Sequence, residues 1–227
     1  PDGERGPMVP NVENALAYYD VRGRTWERQA FIKARPVAGN LELGRRFLGR
    51  LSPWVYRRYL SRADISGIRA LKRRIEKRTH EVGGEERNVK TGRGGIRDVE
   101  FVIQFLQLLN GGDLSPLRTG NTIQAINRLA RAGCLSDQER SLLGSNYRFL
   151  RKLEHRLQVM FDLQTHLLPT GREERRKLAL RMGYRDAADS PALERFERDL
   201  AEKTAVNRKI LDHLLHDAFG DEPETEA

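Results

Sequence analysis

The sequence is short of most features that would mark an exported or membrane-bound chain. A single cysteine, Cys134, leaves no pair for an internal disulfide and no thiolate set for zinc. No stretch approaches the ~18 consecutive apolar residues of a membrane helix, and the opening PDGERGPMVP has neither the basic nor the apolar region of a signal peptide. The expected compartment is the cytoplasm, without membrane contact. Sustained period-two alternation is missing as well, so the bulk of the chain is expected to be helical rather than sheet-based. The histidines at 80, 155, 166, 213 and 216 make no metal-ligand pattern; His213 and His216 share a helix face but lack a nearby third ligand.

What the chain has in abundance is charge. Charged residues make up 32% of its 227 residues against 38% hydrophobic ones, and its mean hydropathy of -0.65 describes a polar-surfaced globular protein. The formal net charge of +9 is unevenly placed. Residues 45–78 hold 12 Lys and Arg against Asp64 and Glu76, so everything outside that stretch nearly balances. Such a segment attracts phosphates or an acidic protein surface.

Proline and glycine punctuate the first 40 residues, and helical spacing takes over beyond them. Helices are expected at 11–22, with Asn11 as cap and Gly23 as stop, at 25–34, 40–51 and 64–78. Ser136 with Glu139 and Thr170 with Glu173 read as capping boxes, Ser190-Pro191 as a helix start, and Gly133 and Gly220 as helix ends. Leu142, Leu143, Tyr147, Leu150, Leu153 and Leu157 form one bundle seam; Leu193, Phe196, Leu200, Leu211 and Leu214 form another. An up-and-down bundle from about 88 to 219 follows. Tyr18, Tyr19 and Trp26 are expected in the core or at a domain contact, and the acidic 221–227 stretch reads as a linker or tail.

The most informative segment is KTGRGGIRDVEFVIQFLQLLNGG, residues 90–112. Gly92, Gly94 and Gly95 precede a helix, where unpaired N–H groups suit an anion; alternatively the glycines only let the loop turn tightly. The helix is apolar almost all round, which makes it central, yet Arg97, Glu100, Gln104 and Gln107 run along it as a polar stripe. Asp98 lies about 200° from Glu100 at ~100° per residue, so the two carboxylates cannot share a metal. Glu100 is expected to be a buried acid paired with an arginine, Arg151 being the candidate. Lys33 and Arg35, near the end of an element, suit a phosphate or a helix C-terminus.

PDGERGP, YYDVRGRTWERQAFIKARPVAG, PWVYRRY, VKTGRGGIRDVEFVIQFLQLL and YRFLRKLEHRLQVMFDLQTHLLP together resemble the glutamine synthetase adenylyltransferase family of nucleotidyltransferases, in order from Pro1 to Pro169. Its members have two related catalytic halves, one attaching AMP to a tyrosine of glutamine synthetase and one removing it by phosphorolysis. WERQAFIKAR, PWVYRRY and GGIRDVEF are more similar to the second activity, carried by the first half. The resemblance implies a mainly α chain: the C-terminal remnant of an α/β nucleotidyltransferase domain over residues 1–59, a helical bundle over 60–220 and a tail at 221–227. It implies Mg2+ with ATP, ADP and phosphate as substrates, the metal carboxylates lying upstream and no catalytic or metal residue in this chain. Lys33, Arg35, Lys90, Gly94 and Gly95 would support a nucleotide or phosphate site, while Asp98, Glu100 and Arg151 give buried polar support. Implied partners are glutamine synthetase and the nitrogen-regulatory signal protein. Two rivals are a uridylyltransferase of that signal protein and a basic helical nucleic-acid-binding module.

Overall fold

The computed structural model describes residues 10–58, 64, 66–68, 70, 72–74, 77, 85–187 and 190–219. Among these the regular structure is helical: α1 Val12–Arg22, α2 Thr25–Phe31, α3 Leu41–Val55, α4 Ile96–Asn110, α5 Thr122–Arg131, α6 Asp137–Phe161, α7 Arg172–Met182 and α8 Ala192–Phe219. Short 3-10 turns occupy Glu85–Arg87 and Ser115–Leu117. Helical residues also occur between 64 and 77. The other positions of the expected 64–78 helix, Gly220 and the acidic tail lie outside the described residues.

Caps explain most boundaries. Asn11 accepts from the Asn14 N–H at 2.8 Å and Asn40 from Leu43 at 2.9 Å, and Ser136 with Glu139 closes a reciprocal box. Gly133 takes the left-handed angle expected past α5. The Thr170 box does not form. Gly171 is the N-cap of α7 instead, with the Glu174 carboxylate folded back where a Cβ on Gly171 would sit. Nor does Ser190 cap α8: the Ala192 N–H is taken by the Asp186 carboxylate at 2.9 Å. Helix α3 runs past the expected end at Leu51 and through Pro53 to Val55. Burial of Leu51, Trp54 and Val55 offsets the hydrogen bond that proline removes. Helix α2, in contrast, stops at Phe31 rather than Ala34.

Contacts divide the chain into two compact units, residues 1–71 with 103–134 and residues 72–102 with 135–227. This differs from a cut at residue 59, because α4 contributes its first half to one unit and its second half to the other. Its all-round apolarity makes that possible: Ile96, Val99, Val102, Ile103 and Phe105 are all fully buried.

In the first unit Tyr19 meets Phe31 edge-on at 4.9 Å and Trp54 at 5.1 Å. Arg28 is buried beneath this cluster, its guanidinium 5.2 Å from the Trp54 ring centre and 2.6 Å from Asp64. Trp26, expected inside, is 48% exposed, because α2 turns Glu27, Arg28 and Gln29 inward instead.

In the second unit α6, α7 and α8 pack against one another. Leu153, Leu157, Leu168, Leu178, Met182, Leu193 and Phe196 form the core, joined by Val89 from the glycine loop. Of the two predicted leucine seams, Leu153, Leu157, Leu193 and Phe196 lie in this core with Leu200 packed against it; Leu143, Tyr147, Leu150, Leu211 and Leu214 are also buried, and Leu142 is half-buried.

Candidate functional site

The glycine loop belongs to the second unit, and its backbone donors are already used. Asn88 Oδ1 accepts from the N–H groups of Lys90 and Thr91 at 3.0 Å each. Gly92 donates to Asn88 O, Gly95 to Gly92 O, Ile96 to Val89 O and Arg97 to Lys90 O, all within 3.2 Å. The Gly94 N–H goes to Asp98 Oδ2 at 2.8 Å. Of the two readings of these glycines the tight turn describes the loop, and an anion beside it would be met chiefly by side chains.

Its glycines are required sterically. Gly94 has φ +68°, and a Cβ there would lie 2.0 Å from the Thr204 carbonyl oxygen of α8, while one on Gly95 would lie 2.7 Å from Gly92 O. The close approach lets Asn207 of α8, fully buried, donate to Gly94 O at 2.9 Å. Asn207 Oδ1 in turn accepts from Asn146 of α6 at 3.0 Å. Two buried amides thus pin the loop to two helices.

The acids of α4 do different work. Asp98 caps the loop and faces Arg208 at 3.7 Å. Glu100 does not pair with Arg151; it accepts from the Tyr147 hydroxyl at 2.7 Å. Arg151 instead holds Glu154, one turn further along α6, at 2.7 Å. An (i, i+3) partner on its own helix is reached with less ordering of the side chain than an acid on another element. Asp98, Glu100 and Arg151 are all half-buried rather than buried. Tyr147→Phe and Glu100→Ala are each expected to lower stability by about 1–2 kcal/mol, the range for a charge-assisted bond with partial solvent relief. Urea unfolding measures it, and a cost above that range in either variant would restore a deeply buried ion pair.

Glu154 was not singled out in the sequence and proves central. It is 2% exposed and gathers Arg151, Lys90 at 3.6 Å and His166 Nδ1 at 3.0 Å, the last close but not aligned as a hydrogen bond. Burial, and then Lys90, lowers the His166 pKa, with Arg151 and Arg97 adding to this against the pull of Glu154. The same corner is tied by the backbone: Val89 N–H donates to His166 O at 3.0 Å and Leu168 N–H to Arg87 O at 2.8 Å. A signal existed, since Glu154 stands among Leu150, Leu153 and Leu157 on the buried stripe of α6, as Asn146 does between Leu143 and Leu150.

A cleft of about 670 Å³, lined in part by Gly92 and Gly95, opens beside Arg93, Arg175, Glu197 and Thr204. Lys33 and Arg35 belong to the first unit; both are exposed, and Lys33 reaches Thr122 Oγ1 at 3.4 Å. Among the described residues no group of three or more His, Cys, Asp or Glu side chains is arranged to hold a metal ion. No described helix is long and apolar enough to cross a membrane.

Comparison with known proteins decides the family. A bifunctional glutamine synthetase adenylyltransferase/adenylyl-removing enzyme of Rhizobium meliloti is 44% identical over 208 residues, 90% of this chain and 21% of that protein. The chain belongs to this family. The enzyme of the same name from Brucella suis is 44% identical over 191 residues, 83% of this chain and 19% of its own, and that of Bartonella quintana 40% over 211 residues, 92% and 21%. The chain thus spans about a fifth of the length of the curated adenylyltransferases it matches. A family model described as Glutamate-ammonia ligase adenylyltransferase matches residues 1–50, and one described as GlnD PII-uridylyltransferase matches residues 67–215. The second match covers the helical region containing the glycine loop, and adenylyltransferases align through the same residues.

Proposed function

We propose that this chain is the helical support of a nucleotidyltransferase centre in the half that removes AMP from a tyrosine of glutamine synthetase. The observation that carries the reading is the identity of 44% over 90% of the chain to enzymes named for both adenylyl transfer and removal. In this reading residues 1–59 are the end of an α/β nucleotidyltransferase domain and residues 60–220 its helical partner. Mg2+ is bound by residues outside this chain, with ATP, ADP and orthophosphate as substrates. An orthophosphate oxygen attacks the adenylyl phosphorus, the bond from phosphorus to the tyrosine oxygen breaks, the tyrosine regains its proton and ADP leaves. Lys33, Arg35 and Lys90 offset phosphate charge, while Gly94, Gly95, Asp98 and Glu100 keep the loop and α4 in place. The regulatory partner is the nitrogen-regulatory signal protein, and the compartment the cytoplasm.

The match to the uridylyltransferase model favours a second reading, in which the same helical region serves UMP transfer to that signal protein. A nucleic-acid-binding module has only the basic 45–78 stretch behind it.

The test uses the full-length enzyme containing this chain. Given adenylylated glutamine synthetase, it is expected to release ADP only when orthophosphate is present. Lys33→Ala and Arg35→Ala should raise the half-saturating phosphate concentration roughly 10- to 100-fold, as loss of a charge-assisted contact implies. ATP-driven modification without phosphate-dependent reversal would assign the chain to the other half, and UTP-driven modification of the signal protein to the second reading.

A further inference from the structure

The corner around Glu154 carries more positive charge than it neutralises. One buried carboxylate faces two cations, Arg151 and Lys90, and the imidazole of His166; a third cation, Arg97, follows in the first turn of α4, its backbone tied to Lys90 O at 2.9 Å. The carboxylate saturates one cation, Arg151. Lys90 Nζ stays 3.6 Å away, beyond hydrogen-bond reach, with its side chain 33% exposed. Arg97 is exposed and has no side-chain partner among the described residues. Like charges gathered this way repel one another unless an anion is supplied from outside.

We propose that Lys90, Arg151 and His166, with the exposed Arg97 in the first turn of α4 beside Lys90, form a binding site for a phosphate group, with buried Glu154 as the residue that gathers the first three. A guanidinium fork and a lysine point charge converging from different elements match the tetrahedral oxygens of phosphate. Glu154 is a positioning residue, since its own charge repels the ligand while its ion pair orders Arg151. The choice of phosphate over another anion rests on the functional reading above; the site itself rests on the cluster. Its phosphate comes either from free orthophosphate or from the 5′-phosphate of a nucleotide.

The 227-residue chain is titrated by NMR at low ionic strength with inorganic phosphate, with AMP and with adenosine. Saturable shifts centred on residues 88–97 and 166 are expected for phosphate, AMP or both, and none for adenosine; the stronger of the first two names the source. Arg97→Ala removes an exposed side chain and should leave the melting temperature unchanged while weakening binding about tenfold, or ~1.4 kcal/mol. Lys90→Met should do the same and Lys90→Arg should keep most of the affinity, whereas Arg131→Ala, in the other unit, should change nothing. Equal, unsaturable shifts in all these variants would overturn the site. A saturable site in a full-length enzyme that shows no phosphate-dependent deadenylylation would instead overturn the functional reading. Deadenylylation without saturable binding here would remove the site and leave the reading standing.

Discussion

Replacing Gly94 by alanine is expected to destabilise the protein by about 2–5 kcal/mol. Two costs combine. A left-handed backbone with a Cβ costs ~1–2 kcal/mol, and forcing an atom into packed structure typically ~1–3 kcal/mol more. Gly94 incurs both, having φ +68° and a Cβ position 2.0 Å from the Thr204 carbonyl, which is helix backbone and cannot swing aside. Gly133 provides the comparison, because at φ +76° nothing lies within 4 Å of its Cβ. Gly133→Ala should therefore show only the conformational part, about 1–2 kcal/mol. Urea unfolding of the two variants separates the terms. Equal losses would mean that α8 does not press on the loop.

The second large effect is expected at Asn207. Asn207→Leu removes the donor to Gly94 O and the acceptor for Asn146, at a site with no exposure to water. An unsatisfied buried polar group costs ~1–3 kcal/mol. With Asn146 keeping a long contact of 3.3 Å to Lys203 O, the total should be about 2–4 kcal/mol by the same scale. Pairing the change with Asn146→Leu should recover part of the loss, since one of the stranded groups is then absent. Amide exchange reports the outcome locally: protection of the N–H groups of residues 92–97 should fall in Asn207→Leu. Unchanged protection there, or strictly additive losses in the double variant, would mean that the amide pair does not hold the loop.

How far the sequence revealed this arrangement depends on how local each signal is. Asn11 and Ser136 were legible because a cap bonds within three residues of itself. The Thr170 box failed although its ingredients were right: α7 starts one residue later, with Gly171 as an N-cap that has no side chain to bond. Helix α4 was legible as a central element from its apolarity alone. The competing reading of the glycine loop as a tight turn was also available, but the reason for Gly94 was not, since Thr204 lies 110 residues along the chain. Glu154 sits in RKLEHR, which looks like a solvated helix surface. Only its place between Leu150, Leu153 and Leu157 betrays burial, and no local pattern says that Lys90 and His166 converge on it. Arg28 is similar: WERQAF puts it beside an exposed Trp26, and its partner Asp64 is 36 residues away.

The Asn207 bond to Gly94 spans 113 residues of chain. A ribosome delivers Gly94 well before Asn207, so for 113 residues of synthesis the glycine loop exists without the helix that fixes it. At roughly 5–20 residues per second that interval lasts on the order of ten seconds. Over this time the loop can hold only its own internal turn, closed by Asn88 and Asp98. Its final seating waits for α8, so the segment where the sequence looks most organised locally is settled only by a distant one.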